Sequence, residues 1–253
     1  MAARWSPVLA MEAYLHALQL CGELQDSSPT SSTAPAASDT PARGAAAAAT
    51  TLAAEPRGAE YVAALAAGGQ ARLLVDVATG GASASPASLA TTAALAVAAA
   101  RTGGRLVCVR RDARGLGAAR RHLERLGLAG SSSSVAFQLG RPPAAAVRRL
   151  RRVDFAVVDG EMEDRDEVLG ALDVDPRGAV VVVTNVFRGH EGTCHCHCHG
   201  RHGGQLGGRS VVLPIGSGME VIKIGRVGGQ GGAHMQRPVR RSRNAKRTFL
   251  VCE

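Results

Sequence analysis

The feature that most constrains this fold is a fivefold alternation of short apolar runs with helical segments between residues 72 and 185. Strands buried on both faces of a parallel sheet give such nearly continuous apolar runs. The runs are RLLVDVA (72–78), RLVCVRR (105–111), SVAFQLG (134–140), VDFAVVDG (153–160) and GAVVVVTN (178–185). The alternation predicts an α/β protein with a doubly wound, Rossmann-like sheet.

Two further strands are predicted near the C-terminal end of this region. SVVLPIG (210–216) and MEVIKIG (219–225) flank Gly216-Ser217-Gly218, which is typical of an antiparallel hairpin. A C-terminal β-hairpin of this kind makes the predicted sheet a seven-stranded mixed sheet.

An N-terminal helix is predicted over about residues 7–21. Ser6 and Pro7 form a typical helix start, and large apolar residues then recur on one face. These residues are Val8, Met11, Leu15 and Leu18. A second helix is predicted over about 57–67, ending at two glycines.

The predicted organisation has four parts. Residues 1–26 carry the N-terminal helix, and residues 27–51 form an insert rich in Ser, Thr, Pro and Ala. That composition cannot bury a core, so we expect the insert to be disordered. Residues 52–236 form the Rossmann-like domain, and residues 237–253 form a basic tail.

The net charge of +9 is concentrated in residues 101–253, which carry 26 basic and 14 acidic residues. A basic face for a phosphate-rich partner would explain this charge. Only two of the 30 basic residues are lysine, and we favour biased codon usage as the source of the arginine excess. RPVRRSRNAKR (237–247) has no interleaved aromatic side chains for base stacking. We therefore favour a solvated tail over a nucleic-acid site.

Cysteine usage and hydropathy bear on the compartment. The six cysteines show no disulfide framework, which fits a reducing environment. No signal-peptide block and no uninterrupted apolar run of about 18 residues is present, so a membrane span is not expected. We expect an intracellular, cytoplasmic protein, and a nuclear or organellar location stays open.

The predicted sheet places a ligand site beyond the carboxyl ends of its strands, at the switch point. The loop after the first strand has two glycines that let its backbone approach a ligand closely. Asp112, just after the second strand, could accept hydrogen bonds from ribose hydroxyls, and Asp159 ends the fourth strand at the same crevice. The candidate binding residues are Ala78, Thr79, Gly80, Gly81, Ser85, Asp112 and Asp159.

Each of these signals has a plainer interpretation. The loop lacks both G-x-G-x-x-G and the lysine of a phosphate-binding loop, and a glycine pair after a strand is often only a turn. Asp159 could equally be a strand-end acid that caps the next helix. The prediction of a site depends on three features occurring together: the glycine loop after the first strand, Asp112 after the second and Asp159 at the end of the fourth.

Several motifs resemble a plant family labelled domain of unknown function 1442. They are RWSP, AALAAGGQARLLVDVATGG, LAVAAARTGGRLVCVRRD, VDFAVVDG, PRGAVVVVTNVF and SVVLPIGSGMEVIKIG, and they cover nearly the whole chain apart from the 27–51 insert. That family is similar to S-adenosylmethionine-dependent methyltransferases. The resemblance implies a class I methyltransferase-like fold, S-adenosylmethionine as cofactor and an acceptor that it does not name.

The chain also resembles small plant O-methyltransferases that act on catechol-like acyl-CoA esters. The resemblance matches DVATGG to their cofactor loop and Asp112 to their acid after the second strand. It aligns Asp159 and Asn185 with two of their metal ligands, but Thr184 stands where a third ligand, an Asp, would be. A hydroxyl in place of a carboxylate weakens a site for Mg²⁺, so no metal is expected.

GHEGTCHCHCHGRHGG (189–204) holds three cysteines and five histidines. Cysteine and histidine alternate through 194–199, so an extended chain directs them to opposite sides. A curled loop could bring three thiolates to Zn²⁺ or Cu(I), with His190 or His202 as a fourth ligand. We favour a low-complexity insertion and keep a functional metal site as the alternative.

Three functional hypotheses follow. The first is an S-adenosylmethionine-binding protein of the methyltransferase fold and a candidate methyltransferase for a small molecule. The second is a non-catalytic descendant of the same fold that serves as a binding module. The third is a protein associated with nucleic acid or metal through its arginine-rich tail and His/Cys run.

Overall fold

The computed structural model describes residues 5–26, 58–79, 86–129, 134–187 and 208–225. Several predictions fall outside these ranges. They concern the 27–51 insert, Gly80, Gly81, Ser85, the 189–204 His/Cys run and the 237–253 tail.

Seven strands form one mixed sheet in the order β3-β2-β1-β4-β5-β7-β6. The first five are parallel, and β7 runs antiparallel to both β5 and β6. The strands are β1 Leu73–Ala78, β2 Arg105–Arg110, β3 Val135–Leu139, β4 Phe155–Asp159, β5 Ala179–Thr184, β6 Gly208–Leu213 and β7 Met219–Ile224. The predicted doubly wound sheet and its C-terminal hairpin are confirmed.

Six helices accompany the sheet in the described part of the chain. They are α1 Pro7–Asp26, α2 Gly58–Gly68, α3 Pro86–Thr102, α4 Ala113–Arg125, α5 Pro143–Val147 and α6 Arg165–Ala171. The first begins where Ser6 and Pro7 predict, with the Leu9 N–H donating to Ser6 Oγ over 3.4 Å, but it extends about one turn beyond residue 21. None of these helices is both long and apolar enough to cross a membrane.

Side chains that alternate along each strand supply two separate apolar cores. In β2, Leu106 and Cys108 belong to the core beneath α1, α2, α3 and α4. Val107 and Val109 belong to the opposite core, which α5 and α6 cover. Because both faces are covered, the strands read as continuous apolar runs in the sequence.

The large apolar residues of α1 do not face the core, although an apolar stripe on a helix usually does. Val8, Met11, Leu15 and Leu18 do share one face, but each is 42–66% exposed. The face against α2 and α3 is formed by smaller residues, mainly alanines: Ala10, Ala13, Ala17 and Leu20. Short alanine side chains let the three helix backbones approach closely, so the large residues are left on the outside.

Candidate functional site at the carboxyl edge of the sheet

The strand order reverses direction between β1 and β4. From β1 the chain proceeds outward through β2 and β3, whereas β4 and β5 lie on the other side of β1. The carboxyl ends of these parallel strands meet at one edge, with Ala78 opposite Arg110 and Asp159 opposite Thr184. Ligands of open α/β sheets bind in the crevice at such a switch point.

Asp159 links three strand ends at this point. Its Oδ2 accepts a hydrogen bond from Thr79 Oγ1 over 3.0 Å. Its Oδ1 accepts from Asn185 Nδ2 over 3.0 Å and from the Glu161 N–H over 3.2 Å. The side chain is buried, so these three donors compensate for the water that the carboxylate has lost. The predicted site residues Thr79 and Asp159 are therefore in direct contact.

Backbone packing next to Asp159 is unusually close. The Gly160 N–H donates to the Thr184 carbonyl over 2.8 Å, and a Cβ added at Gly160 would collide with that same oxygen. Only glycine fits this approach of β4 to the end of β5. Asn185 then takes a left-handed φ of +57°, which turns its side chain back to Asp159.

This arrangement bears on the aligned metal ligands. Asn185 approaches Asp159 as a hydrogen-bond donor through its amide nitrogen, whereas a metal ligand would present its amide oxygen. Thr184 contributes no carboxylate. Within the described ranges, no group of three or more His, Cys, Asp or Glu side chains could hold a metal ion.

Asp112 lies at the start of α4, two residues after β2 ends. Its Oδ1 accepts a hydrogen bond from the Gly115 N–H over 2.7 Å, which makes it the N-cap of that helix. The side chain is half-buried, and Oδ2 has no hydrogen-bond partner among the described residues. The capping role that sequence reasoning offered to Asp159 is wrong, because α6 begins at Arg165 with Asp164 at its N-cap position.

A buried ion pair that the sequence patterns did not predict lies beneath this edge. Arg110, the last residue of β2, places Nη2 2.7 Å from Asp76 Oδ2 in β1, and both side chains are 2–3% exposed. Nη2 also donates to Thr92 Oγ1 of α3 over 2.7 Å, and that hydroxyl lies 2.7 Å from Asp76 Oδ2. The cluster of Asp76, Arg110 and Thr92 joins α3 to β1 and to the end of β2.

Arg110 is also fixed to the backbone. Its Nη1 donates to the carbonyls of Asp76 and Val109 over 3.1 and 3.0 Å. Burial by itself lowers the pKa of the Arg110 guanidinium, but the nearby acidic groups, Asp76 foremost, together outweigh it, and the pKa is raised above its ordinary value. A signal was present in the sequence, since Asp76 interrupts the apolar run 72–78 and Arg110 belongs to the arginine pair that ends the run 105–111.

Comparison with known proteins gives a family and a fold. Residues 45–246 match the family described as "Protein of unknown function (DUF1442)". A methyltransferase from Geobacter sulfurreducens aligns with a TM-score of 0.51 at 20% identity, over 82% of this chain and 96% of that one. A candidate caffeoyl-CoA O-methyltransferase from Staphylococcus aureus aligns with a TM-score of 0.50 at 10% identity, over 83% of this chain and all of that one. No curated protein matches significantly.

Both alignments span more than four-fifths of this chain. The sheet order with its antiparallel hairpin is that of class I methyltransferases, so the fold that the sequence predicts is confirmed.

Proposed function

This chain belongs to the DUF1442 family, and from that premise we propose that it binds S-adenosylmethionine at the carboxyl edge of its sheet and methylates a small molecule. One observation carries the proposal: the sheet reverses between β1 and β4 in the class I methyltransferase order. The Thr79–Asp159 pair bridges that reversal, and Asp112 follows β2, the strand next to β1.

The residues at this edge fit the chemistry of the proposed cofactor. A ribose diol needs an acceptor, and Asp112 retains Oδ2 outside its capping bond. The cofactor's sulfonium is cationic, and the only buried cation described at the edge, Arg110, is paired with Asp76. Ala78, at the end of β1, has only a methyl side chain, which leaves room for a ligand beside the strand end. Gly80, Gly81 and Ser85 remain predicted contacts of the loop that follows.

When bound, S-adenosylmethionine supplies a methyl group already activated by its positively charged sulfur. The chain then has to hold an acceptor atom in line with that methyl group and exclude competing orientations. Asp159 fixes the ends of β1, β4 and β5, so it sets the shape of the site where these three strands end. It acts in this proposal as a positioning residue.

A second candidate function is ligand binding without methyl transfer. The observation in its favour is that both oxygens of Asp159 are already occupied by donors. Proton abstraction from an acceptor hydroxyl by this carboxylate would require one of those donors to move. An acceptor whose nucleophile is already deprotonated would need no base.

Calorimetric titration with S-adenosylmethionine and with its demethylated product tests binding. Asp112→Asn is the sharpest variant, because asparagine caps a helix as well as aspartate does but replaces the second acceptor oxygen with a donor. We expect weaker binding at unchanged stability. Gly81→Val adds a side chain where the predicted loop approaches the ligand, and it should also weaken binding.

The matched control is Asp166→Asn, an exposed acid in the first turn of α6. Unchanged affinity in Asp112→Asn, or no binding of either compound to the wild-type chain, would refute the proposed site. Incubation with labelled S-adenosylmethionine and a panel of phenolic acceptors separates the two functions. Binding with no label transferred to any acceptor would favour the binding module.

A further inference from the structure

The outer face of α1 is the largest concentration of exposed apolar side chains in the described ranges. The described ranges contain ten exposed large apolar residues, and six of these belong to α1 or lie just before it. They are Trp5, Val8, Met11, Tyr14, Leu15 and Leu18, each 39–66% exposed. We call these six residues the α1 patch. A contiguous patch of this kind on a folded protein marks an interaction surface.

The spacing within the α1 patch fits a helical partner. Val8, Met11, Leu15 and Leu18 follow one another at three, four and three residues, which is the seam spacing of two helices packed side by side. Glu12 is the only Asp, Glu, Lys or Arg of residues 5–20, and its carboxylate lies 3.4 Å from Arg101 of α3. His16, in the same stretch, is half-buried. The patch therefore presents almost no charge to a partner.

The size of the α1 patch suits a protein interface. Six side chains at this exposure offer on the order of 600 Å², against about 800 Å² contributed by each partner in a standard interface. The half-buried Leu9 and exposed Gln19 flank the patch and would add to the area. Trp5 is held in place at one end, because its ring lies directly over Gly68 and leaves no room for a Cβ there.

We propose that the α1 patch pairs antiparallel with the α1 patch of a second copy of this chain, giving a two-fold symmetric dimer. A partner must supply a matching apolar seam. None of the stretches outside the described ranges has large apolar residues repeated at three and four positions over more than one helical turn. An antiparallel pair of α1 helices matches the seam with itself, with Met11 of one copy facing Leu15 of the other and Val8 facing Leu18.

Sedimentation velocity of the full chain over a wide concentration range tests the proposal. We expect a reversible dimer in the wild type. Leu15→Glu should raise the dimer dissociation constant by more than about a hundredfold, since a symmetric pair contains the substitution twice. The double variant Met11→Lys/Leu15→Glu sets opposite charges against each other across an antiparallel pair, so it should recover part of the lost affinity.

The matched control is Val211→Glu, which adds the same charge to an exposed apolar position in β6 and should leave the dimer intact. Circular dichroism of each variant checks that the fold is retained. A wild type that stays monomeric, a dimer that survives Leu15→Glu, or one that Val211→Glu abolishes would overturn the proposal. Failure of the double variant to recover any affinity would overturn the antiparallel arrangement.

Discussion

The buried pair of Arg110 and Asp76 should be one of the most sensitive positions in the molecule. Arg110→Met keeps most of the side-chain volume but removes the charge and all four hydrogen bonds that the guanidinium donates. Asp76 would keep only the Thr92 hydroxyl as a side-chain partner among these groups. Its carboxylate, 3% exposed, has little access to water that could replace the lost cation.

The expected cost follows from that burial. Removing one member of a buried ion pair destabilises a protein by about 3–5 kcal/mol, out of a total stability of about 5–15 kcal/mol. For a domain with a urea m-value of about 2–3 kcal/mol/M, this moves the unfolding midpoint down by about 1–2 M. The double variant Asp76→Leu/Arg110→Met leaves no buried charge, so it should cost at least about 2 kcal/mol less than the sum of the two single variants.

Urea unfolding followed by circular dichroism measures these differences. The control is Arg120→Met, whose partner Glu124 lies 2.9 Å away with side chains 67% and 50% exposed. Solvent screens that pair, so its loss should cost less than about 1 kcal/mol. If Arg110→Met costs no more than Arg120→Met, or if the two changes in the double variant are simply additive, the reasoning about this cluster is refuted.

Three further predictions concern other sites. Asp112→Ala should lower the free energy of unfolding by about 1 kcal/mol through loss of the α4 cap, whereas Asp112→Asn should leave it unchanged. Urea unfolding measures both variants, and equal losses of stability would contradict the capping role. Burial raises the pKa of the Cys108 thiol, so peptide mass spectrometry should find it unmodified by iodoacetamide in the folded protein and modified in urea. The hydrogen bond from Arg177 lowers the pKa of Asp175, so this acid adds stability above its unfolded pKa that is lost as pH falls through its folded pKa. Arg177→Gln should therefore destabilise the protein at neutral pH and have little effect in strong acid; an equal loss at both pH values would argue against the interaction.

The sheet could be predicted because its physics is local and repetitive. Each buried strand is an apolar run, and each run ends within about two residues of where the structure ends the strand. The hairpin was also predicted, from the glycines at its turn, and Gly216 and Gly218 adopt positive φ values of 57° and 88°. Its first strand, β6, begins two residues before and ends three residues before the predicted run SVVLPIG.

The roles of the acids were harder to predict, because they depend on contacts between distant parts of the chain. Whether Asp112 or Asp159 caps a helix depends on where the next helix begins, and sequence patterns fix helix starts poorly. The pairing of Arg110 with Asp76 requires the register of β1 against β2, which the apolar runs do not specify. The outward face of α1 could not be read from periodicity, because apolar residues occupy both of its faces.

The three bonds of Asp159 have a consequence for how any ligand would be received at this edge. A carboxylate bonded at once to Thr79, Glu161 and Asn185 keeps three strand ends in one arrangement before a ligand arrives. That part of the site is preorganised, so little conformational freedom of the protein is lost there on binding. The conformational entropy lost on binding would then come mainly from the ligand. A rigid ligand should therefore bind more tightly than a flexible one that makes the same contacts.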